Sequence, residues 1–443
     1  MDASDADLST QLLAALARRG VADSGALQAA LDRSQPTVSR VLAGLSSQLL
    51  VLGAGRRTRY ALPHGILGLP AQQPLLAVHE DGQVEHWGRL SFLQGQRVHV
   101  RAPGIDLLVQ GKLPWFLAPL RGEGFIGRLR ARELAAWGLP ANPEQWTLEQ
   151  TLFAALHTPD APGALQLGEG LPAAALQPPG TSAFTGAADW DALADATAQT
   201  GHAGSSAGGE QAKFLTREVS GGENGSALLV KFSPPRSTPF GSRWHDLLHA
   251  EALALAVLGE HGVAVADTRV VESARRTYLA SRRFDRHGKS GQMGRSHVVP
   301  LHAVHDAFVP GPRQHWAATC AALAQQRRLP AEAAAQVRAL RQFGRLIGNT
   351  DMHFGNLSLR VALPDLAHGR FTLAPVYDML PMRWRPDLHS GELGMLPFTP
   401  EPEDLQSAAL PVALGFWQRC VQSPALSAEF RALAGTMALR LAD

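Results

Sequence analysis

Leu346-Ile-Gly-Asn-Thr-Asp-Met-His-Phe-Gly-Asn-Leu-Ser358 restricts what this chain can fold into more than any other stretch, because it sets a carboxylate and a carboxamide five positions apart on a loop. Downstream, Phe371-Thr-Leu-Ala-Pro-Val-Tyr-Asp-Met-Leu380 reads as a short strand ending in a turn that presents Asp378. Asp351 has the chemistry to orient or accept the proton of an attacking hydroxyl, while Asn356 and Asp378 supply hard oxygen ligands for a divalent cation. The order and the first spacing match the phosphoryl-transfer template, in which a catalytic-loop Asp precedes a metal-binding Asn and a second metal-binding Asp follows on a later turn. Without a metal, two carboxylates would repel a polyanionic nucleotide by roughly 4 kcal/mol per charge pair at ~4 Å. The pattern therefore calls for a metal, Mg2+, against the phosphates of a nucleotide. Turn formation explains each residue singly but not the set.

The upstream sequence supplies the matching cations. Gly201-His-Ala-Gly-Ser-Ser-Ala-Gly-Gly-Glu-Gln-Ala-Lys-Phe214 is rich enough in Gly and Ser for its backbone N–H groups to cradle phosphate oxygens, with Ser205, Ser206, Gly208, Gly209, Gln211 and Lys213 as candidate contacts. It is not a Walker A sequence, and alone such a run is more often a linker. What favours it is position: Ser226 to Phe232 follows as a buried strand whose single Lys231 is placed to reach nucleotide phosphates, the other reading being an edge-strand guard. Trp244 to Glu260 reads as a helix holding Glu251 among Leu and Ala, and a buried carboxylate there needs a cation such as Lys231. Asp285, in the turn after Arg276 to Arg283, either accepts hydrogen bonds from a ribose or caps the turn. His353 joins the cofactor-binding set as a support of the loop. His297, His302, His305 and His315 do not have metal-ligand spacing and read as structural.

A different pattern opens the chain. Leu8, Leu12, Leu13, Leu16 and Ala17 repeat at helical spacing, a second helix runs from about Ser24 to Leu31, and Ser34 is placed to cap a third whose buried stripe is Val38, Val41, Leu42 and Leu45. Its opposite face carries Gln35, Thr37, Ser39 and Arg40. Leu49 to Leu62 then reads as a hairpin tipped with Arg56, Arg57 and Arg59. This is the pattern of a winged helix-turn-helix that reads DNA with the third helix and grips phosphates with the wing, although a dimerising helical hairpin fits the periodicity as well. Pro63 to Pro74 reads as a linker, Leu75 to Val109 as short strands with a turn at Asp81-Gly82, and Phe125 to Trp137 and Leu148 to Leu156 as helices. Leu167 to Gly186, rich in Gly, Pro and Ala, reads as a separator.

The expected fold is therefore α+β and multidomain: a winged helix-turn-helix over residues 1–62, a small α+β subdomain over 75–180, and a kinase-like domain with a largely helical C-terminal lobe over 189–443. The formal charge of +2 is too small for general nucleic-acid affinity, so DNA contacts must be local. Cys320 and Cys420 stand 100 residues apart with no metal spacing, which points to buried thiols in a reducing cytoplasm. No apolar run is long enough for a membrane span. A homodimer would suit a winged helix reading two half-sites.

Taken together, these motifs resemble the HipA-like serine/threonine kinases, toxins of bacterial toxin–antitoxin pairs, from about Leu75 onward. The Gly-Ser run to Lys213 looks like that family's nucleotide loop, and Asn349 to Asn356 with Pro375-Val-Tyr-Asp378 looks like its catalytic and metal motifs. The resemblance implies ATP-dependent phosphorylation of a protein serine or threonine, autophosphorylation at Ser205 or Ser206, aminoacyl-tRNA synthetases as candidate substrates and an antitoxin as a possible partner. It also identifies departures. Phe354-Gly355 stands where relatives often carry Ala-Lys, Arg282 and Arg283 precede Phe284-Asp285 where an acidic residue is common, and the fused N-terminal module looks like the YjjJ branch. The alternative function is a DNA-binding regulator, or a toxin acting on nucleic acid, whose kinase-like fold binds nucleotide without phosphorylating protein.

Overall fold

The apolar stripes of the N-terminal segment close on one another. The computed structural model describes residues 3–169, 187–201, 211–218, 226–289, 292–387 and 392–442. Helices α1 (Ala3–Arg19), α2 (Ser24–Leu31) and α3 (Gln35–Gly44) pool Leu12, Leu16, Leu27, Val38 and Val41 in one small core. Strands β1 (Val21–Asp23), β2 (Leu50–Leu52) and β3 (Arg59–Ala61) form a sheet in the order β1-β3-β2, so the hairpin expected from Leu49 onward is present. Asp23 caps α2, its carboxylate accepting from Ala26 N at 2.7 Å. Ser34 occupies the N-cap of α3 but makes no capping bond; its hydroxyl meets Thr37 Oγ1 at 3.2 Å instead.

The segment read as a linker is docked. Pro63 bridges Leu93, His64 N donates to the Phe92 carbonyl, and pairing of the next sheet has begun by Gln72. That sheet contains β4 (Gln72–Val78), β5 (Val84–Leu93), β6 (Arg97–Ala102), β7 (Ile105–Gln110) and, after α4 (Gly124–Glu133) and α5 (Leu148–Leu156), β8 (Leu165–Leu167), in the order β7-β6-β5-β4-β8. The α5 helix carries a complete capping box, Thr147 with Gln150, which fixes its start where the periodicity puts it.

Beyond α6 (Ala187–Gly201), a four-stranded antiparallel sheet runs β11-β12-β10-β9 from β9 (Lys213–Glu218), β10 (Ser226–Phe232), β11 (Thr268–Glu272) and β12 (Thr277–Arg282), with α7 (Pro239–Glu260) between β10 and β11 in the chain. Trp190 of α6 packs edge-on to Tyr278 and closes the core of this sheet. The hairpin β13 (Arg286–Lys289) and β14 (Gln292–Arg295) leads to β15 (Val298–Pro300), α8 (Leu301–Phe308), α9 (Trp316–Gln325) and α10 (Ala331–Leu346). Strands β16 (Ser358–Arg360) and β17 (Thr372–Leu373) pair with β15, and α11 (Pro402–Leu405), α12 (Leu410–Gln422) and α13 (Ala428–Ala442) complete a mainly helical lobe. One hydrophobic core runs from the five-stranded sheet through α7 into this lobe, so the middle unit and the helical lobe are fused by packing. Cys320 and Cys420 are both buried in it.

Candidate active site

Three elements distant in sequence meet around Lys231. The strand β10 is flanked by β9 and β12, which excludes the edge-guard reading and leaves the lysine 4% exposed. On α7, Glu251 is 1% exposed, with Ala250, Ala254 and Leu255 in the core around it. A carboxylate so buried requires a partner. Lys231 Nζ donates to both its oxygens, at 2.6 and 2.7 Å, and also to Asp378 Oδ1. Burial works against both charges, but the paired lysine is held well above its ordinary pKa and Asp378 is drawn down to about 2 by Lys231, with Lys213 adding to the effect. Lys213 stands directly opposite Lys231 in the β9–β10 register.

Asp378 has φ +55°, a left-handed conformation that Asp tolerates better than most residues and that marks a constrained turn. The turn is pinned from both sides. Asn349 Nδ2 reaches the Asp378 carbonyl at 3.3 Å, and the neighbouring Tyr377 hydroxyl donates to the Gly355 carbonyl at 2.9 Å. The catalytic-type loop itself is ordered by an Asx turn, with Asp351 N donating to Asn349 Oδ1 at 2.9 Å. Asn356 Nδ2 donates to the Asp351 carbonyl at 2.9 Å and lies 3.4 Å from its carboxylate, so Oδ1 is the atom Asn356 has to offer a cation. Partial burial raises the Asp351 pKa, His353 opposes it and Asp378 adds to it. Asn349 and Tyr377 were not singled out from sequence; the Asx-turn potential of Asn349 two residues before Asp351 was the available signal.

The remaining sequence-based candidates divide. His353 is largely exposed, accepts from Gly355 N at 3.0 Å through Nδ1, and stands 3.9 Å from Asp351, as a loop support would. A side chain at 355 would place its Cβ 2.9 Å from the His353 ring, so that ring would have to shift. Phe354 packs against the core and edge-on to His305. Gln211 donates to the Phe232 carbonyl at 2.6 Å, and its buried Oε1 has no partner among the described residues. Ser205, Ser206, Gly208 and Gly209 lie outside the described residues.

Asp285 requires a correction. Its carboxylate is buried and saturated: Oδ1 accepts from Arg283 Nε at 3.1 Å, and Oδ2 accepts from Arg286 at 2.6 Å, Arg283 at 3.0 Å and Gly163 N at 2.9 Å. Neither a ribose contact nor a simple turn cap describes a group already holding two guanidiniums. Asp160, from the loop after α5, joins the same cluster at 2.7 Å from Arg283 and 2.8 Å from Arg286. Arg283 thus ties the middle unit to the kinase-like body.

The four histidines read as structural have separate partners, including the Phe116 carbonyl for His297, Thr319 for His305 and Glu123 for His302. Another trio of ligand-type groups does come together, His245, His249 and Glu272, but these already engage Thr277, the Ala425 carbonyl and Arg236 as well as one another. At the N-terminal module, Gln35, Ser39 and Arg40 are exposed and Thr37 half-buried on α3, while Arg56, Arg57 and Arg59 are exposed on the hairpin.

Residues 205–420 match the HipA-like C-terminal domain, and residues 69–176 match the middle domain of YjjJ-like toxins. The chain is 33% identical over 425 residues to the toxin YjjJ of Escherichia coli strain K12, covering 93% of each. Among solved structures it is similar to HipA from the Shewanella oneidensis MR-1 complex of HipA, HipB and operator DNA, with TM-score 0.52 and 18% identity over 83% of this chain and 95% of that one. A lower similarity, TM-score 0.33 and 14% identity over 52% of this chain and 89% of the other, is to the proinflammatory kinase CtkA of Helicobacter pylori.

Proposed function

The chain belongs to the YjjJ-like toxins, which carry a HipA-like C-terminal domain, and from that membership we propose that it is a Mg2+- and ATP-dependent kinase of protein serine or threonine. The observation that carries this reading is the buried meeting of Lys231, Glu251 and Asp378 beside the Asp351–Asn356 loop. Lys231, oriented by Glu251, and Lys213 would meet the nucleotide phosphates, and the Gly-Ser run before Lys213 has the composition to offer them backbone N–H groups. Asn356 and Asp378 would hold the magnesium ion, and their oxygen donors and the low pKa of Asp378 suit a hard cation. When bound, the ion would neutralise phosphate charge, and the Asp378 carboxylate is itself paired with Lys231. Asp351 accepts or orients the proton of the substrate hydroxyl, and the upward shift in its pKa makes it the stronger base.

The same reading gives Ser205 or Ser206 as the autophosphorylation site, a translation protein such as an aminoacyl-tRNA synthetase as the target, and the cytoplasm as the compartment. The N-terminal module is a winged helix-turn-helix that contacts DNA through α3 and the hairpin arginines, as a homodimer on two half-sites, with an antitoxin as a further partner. Titration with a fluorescent ATP analogue tests the site: binding should need Mg2+ in the wild type and lose that dependence in Asp378→Asn. Mg2+-independent binding of equal strength in both would count against it. Nucleotide binding without phosphate transfer would favour the DNA-binding regulator instead.

A further inference from the structure

Beside the catalytic-type loop lies a cavity of about 290 Å³ whose walls include His315, Arg338, Arg341, Gln342, Glu403 and Asp404. Two of its walls are the elements that also hold Asp351. Trp316, the residue after His315, donates its indole N–H to the His353 carbonyl at 2.9 Å, and α10, which carries both arginines, runs directly into the loop. Arg341 precedes the end of α10 by roughly 8 Å of helix at ~1.5 Å per residue.

The charges lining this cavity are unevenly paired. Glu403 and Asp404 are already engaged by Arg345, at 3.4 and 2.5 Å. Arg338 and Arg341 share one face of α10 at i,i+3 spacing, where like charges repel, and neither has a carboxylate partner among the described residues. Partial burial, with Arg341 and Arg345 nearby, lowers the His315 pKa and so favours the neutral ring. Its Nδ1 accepts from Ala318 N at 3.1 Å, so the neutral ring carries its proton on Nε2 as one more donor. Because Arg345, which is not among the lining residues, already engages both acids, Arg338 and Arg341 are left as the cations open to a ligand, around a volume at the low end of ligand sites and suited to one or two side chains.

We propose that this cavity docks an acidic segment of the protein substrate, placing a Glu or Asp side chain against Arg338 and Arg341 while the nearby serine or threonine reaches Asp351. The polarity of the walls favours polypeptide over a nucleic-acid strand. A peptide brings backbone N–H donors that can meet Glu403 beside its own carboxylates, whereas a phosphate backbone would bring only negative charge to that wall. The acidic side chain and the acceptor hydroxyl would belong to one short extended segment, since α10 carries both arginines and runs directly into the loop of Asp351. The phosphotransferase reading enters only in what the docked segment is brought there to undergo.

Two fluorescein-labelled serine peptides, one with Glu at the positions flanking the serine and one with Gln there, are titrated into the full chain and into the R338E/R341E variant, with thermal unfolding as the check that the variant is folded. The wild type should bind the Glu peptide about ten-fold more tightly than the Gln peptide, with strong salt dependence, and the variant should show no such preference. If the chain labels peptides with ATP, the ratio of kcat/KM for the two should change in the same direction. Equal binding of both peptides by the wild type, or an unchanged preference in the variant, overturns the pocket even if both peptides are phosphorylated. Arginine-dependent binding of the Glu peptide by a chain that labels neither sustains the pocket and contradicts the kinase reading. A labelled RNA oligonucleotide that loses binding in the variant while the Glu peptide does not would reassign the cavity to nucleic acid.

Discussion

Replacing Lys231 with Met would strand two carboxylates, Glu251 fully buried and Asp378 largely so. Burial alone would raise the Asp378 pKa, yet Lys231 and Lys213 hold it at about 2 against 3.8 in the unfolded chain. A depression of that size contributes about 2–3 kcal/mol at neutral pH, present above 3.8 and lost as pH falls through the folded value. The variant forfeits much of this and also leaves Glu251 uncompensated, for a total loss of about 3–5 kcal/mol. The pH dependence separates the two contributions. Glu251 is already raised above 4.5 by burial and rises further without its cation, so in the variant the folded state binds the proton more tightly than the unfolded. Its penalty is absent below about pH 4.5 and grows as pH rises toward the folded value. Urea unfolding of wild type and Lys231→Met at pH 7.5 and at about pH 5 should show a larger gap at the higher pH. Adding Glu251→Gln should make matters no worse, because the stranded charge is gone. A gap equal at both pH values, or losses that add in the double variant, would refute the reasoning.

Two further outcomes follow from the other parts of the chain. Asp160→Asn leaves Arg283 and Arg286 short of a buried carboxylate and should lower unfolding stability by about 3 kcal/mol, whereas a change below about 1 kcal/mol would mean the cluster does not couple the two units. Arg56→Ala with Arg57→Ala should weaken duplex DNA binding and reduce the salt slope by about two, and unchanged binding would remove the hairpin from the DNA contact.

What could be read from sequence was whatever rests on local chemistry. The strand Ser226–Phe232 and the helix Leu148–Leu156 fall where their periodicity and capping put them, and the Lys231–Glu251 pair followed from the cost of burying a carboxylate. Long-range pairing was not legible. Asp285 reads as a ribose acceptor or a turn cap because the neighbouring Arg283 and Arg286 are drawn onto it in a buried cluster completed by Gly163 and Asp160, more than 120 residues earlier. Pro63 to Pro74 looked like a linker because its partners, Phe92 and Leu93, lie on a strand it meets only in the fold. The cavity walled by His315, Arg341 and Asp404 is assembled from separate segments of one lobe and leaves no contiguous mark.

The central claim is that Asp351 serves phosphate transfer. The direct measurement is incorporation of the labelled γ-phosphate of ATP, with Mg2+, into protein by the wild type and by Asp351→Asn. Asp351 is half-exposed, so the substitution should leave the fold intact, and loss of a positioned base should lower the rate by about 10²–10⁴-fold. Wild-type labelling that collapses in the variant is the predicted result. Labelling at the same rate in both, or in neither, would contradict the account.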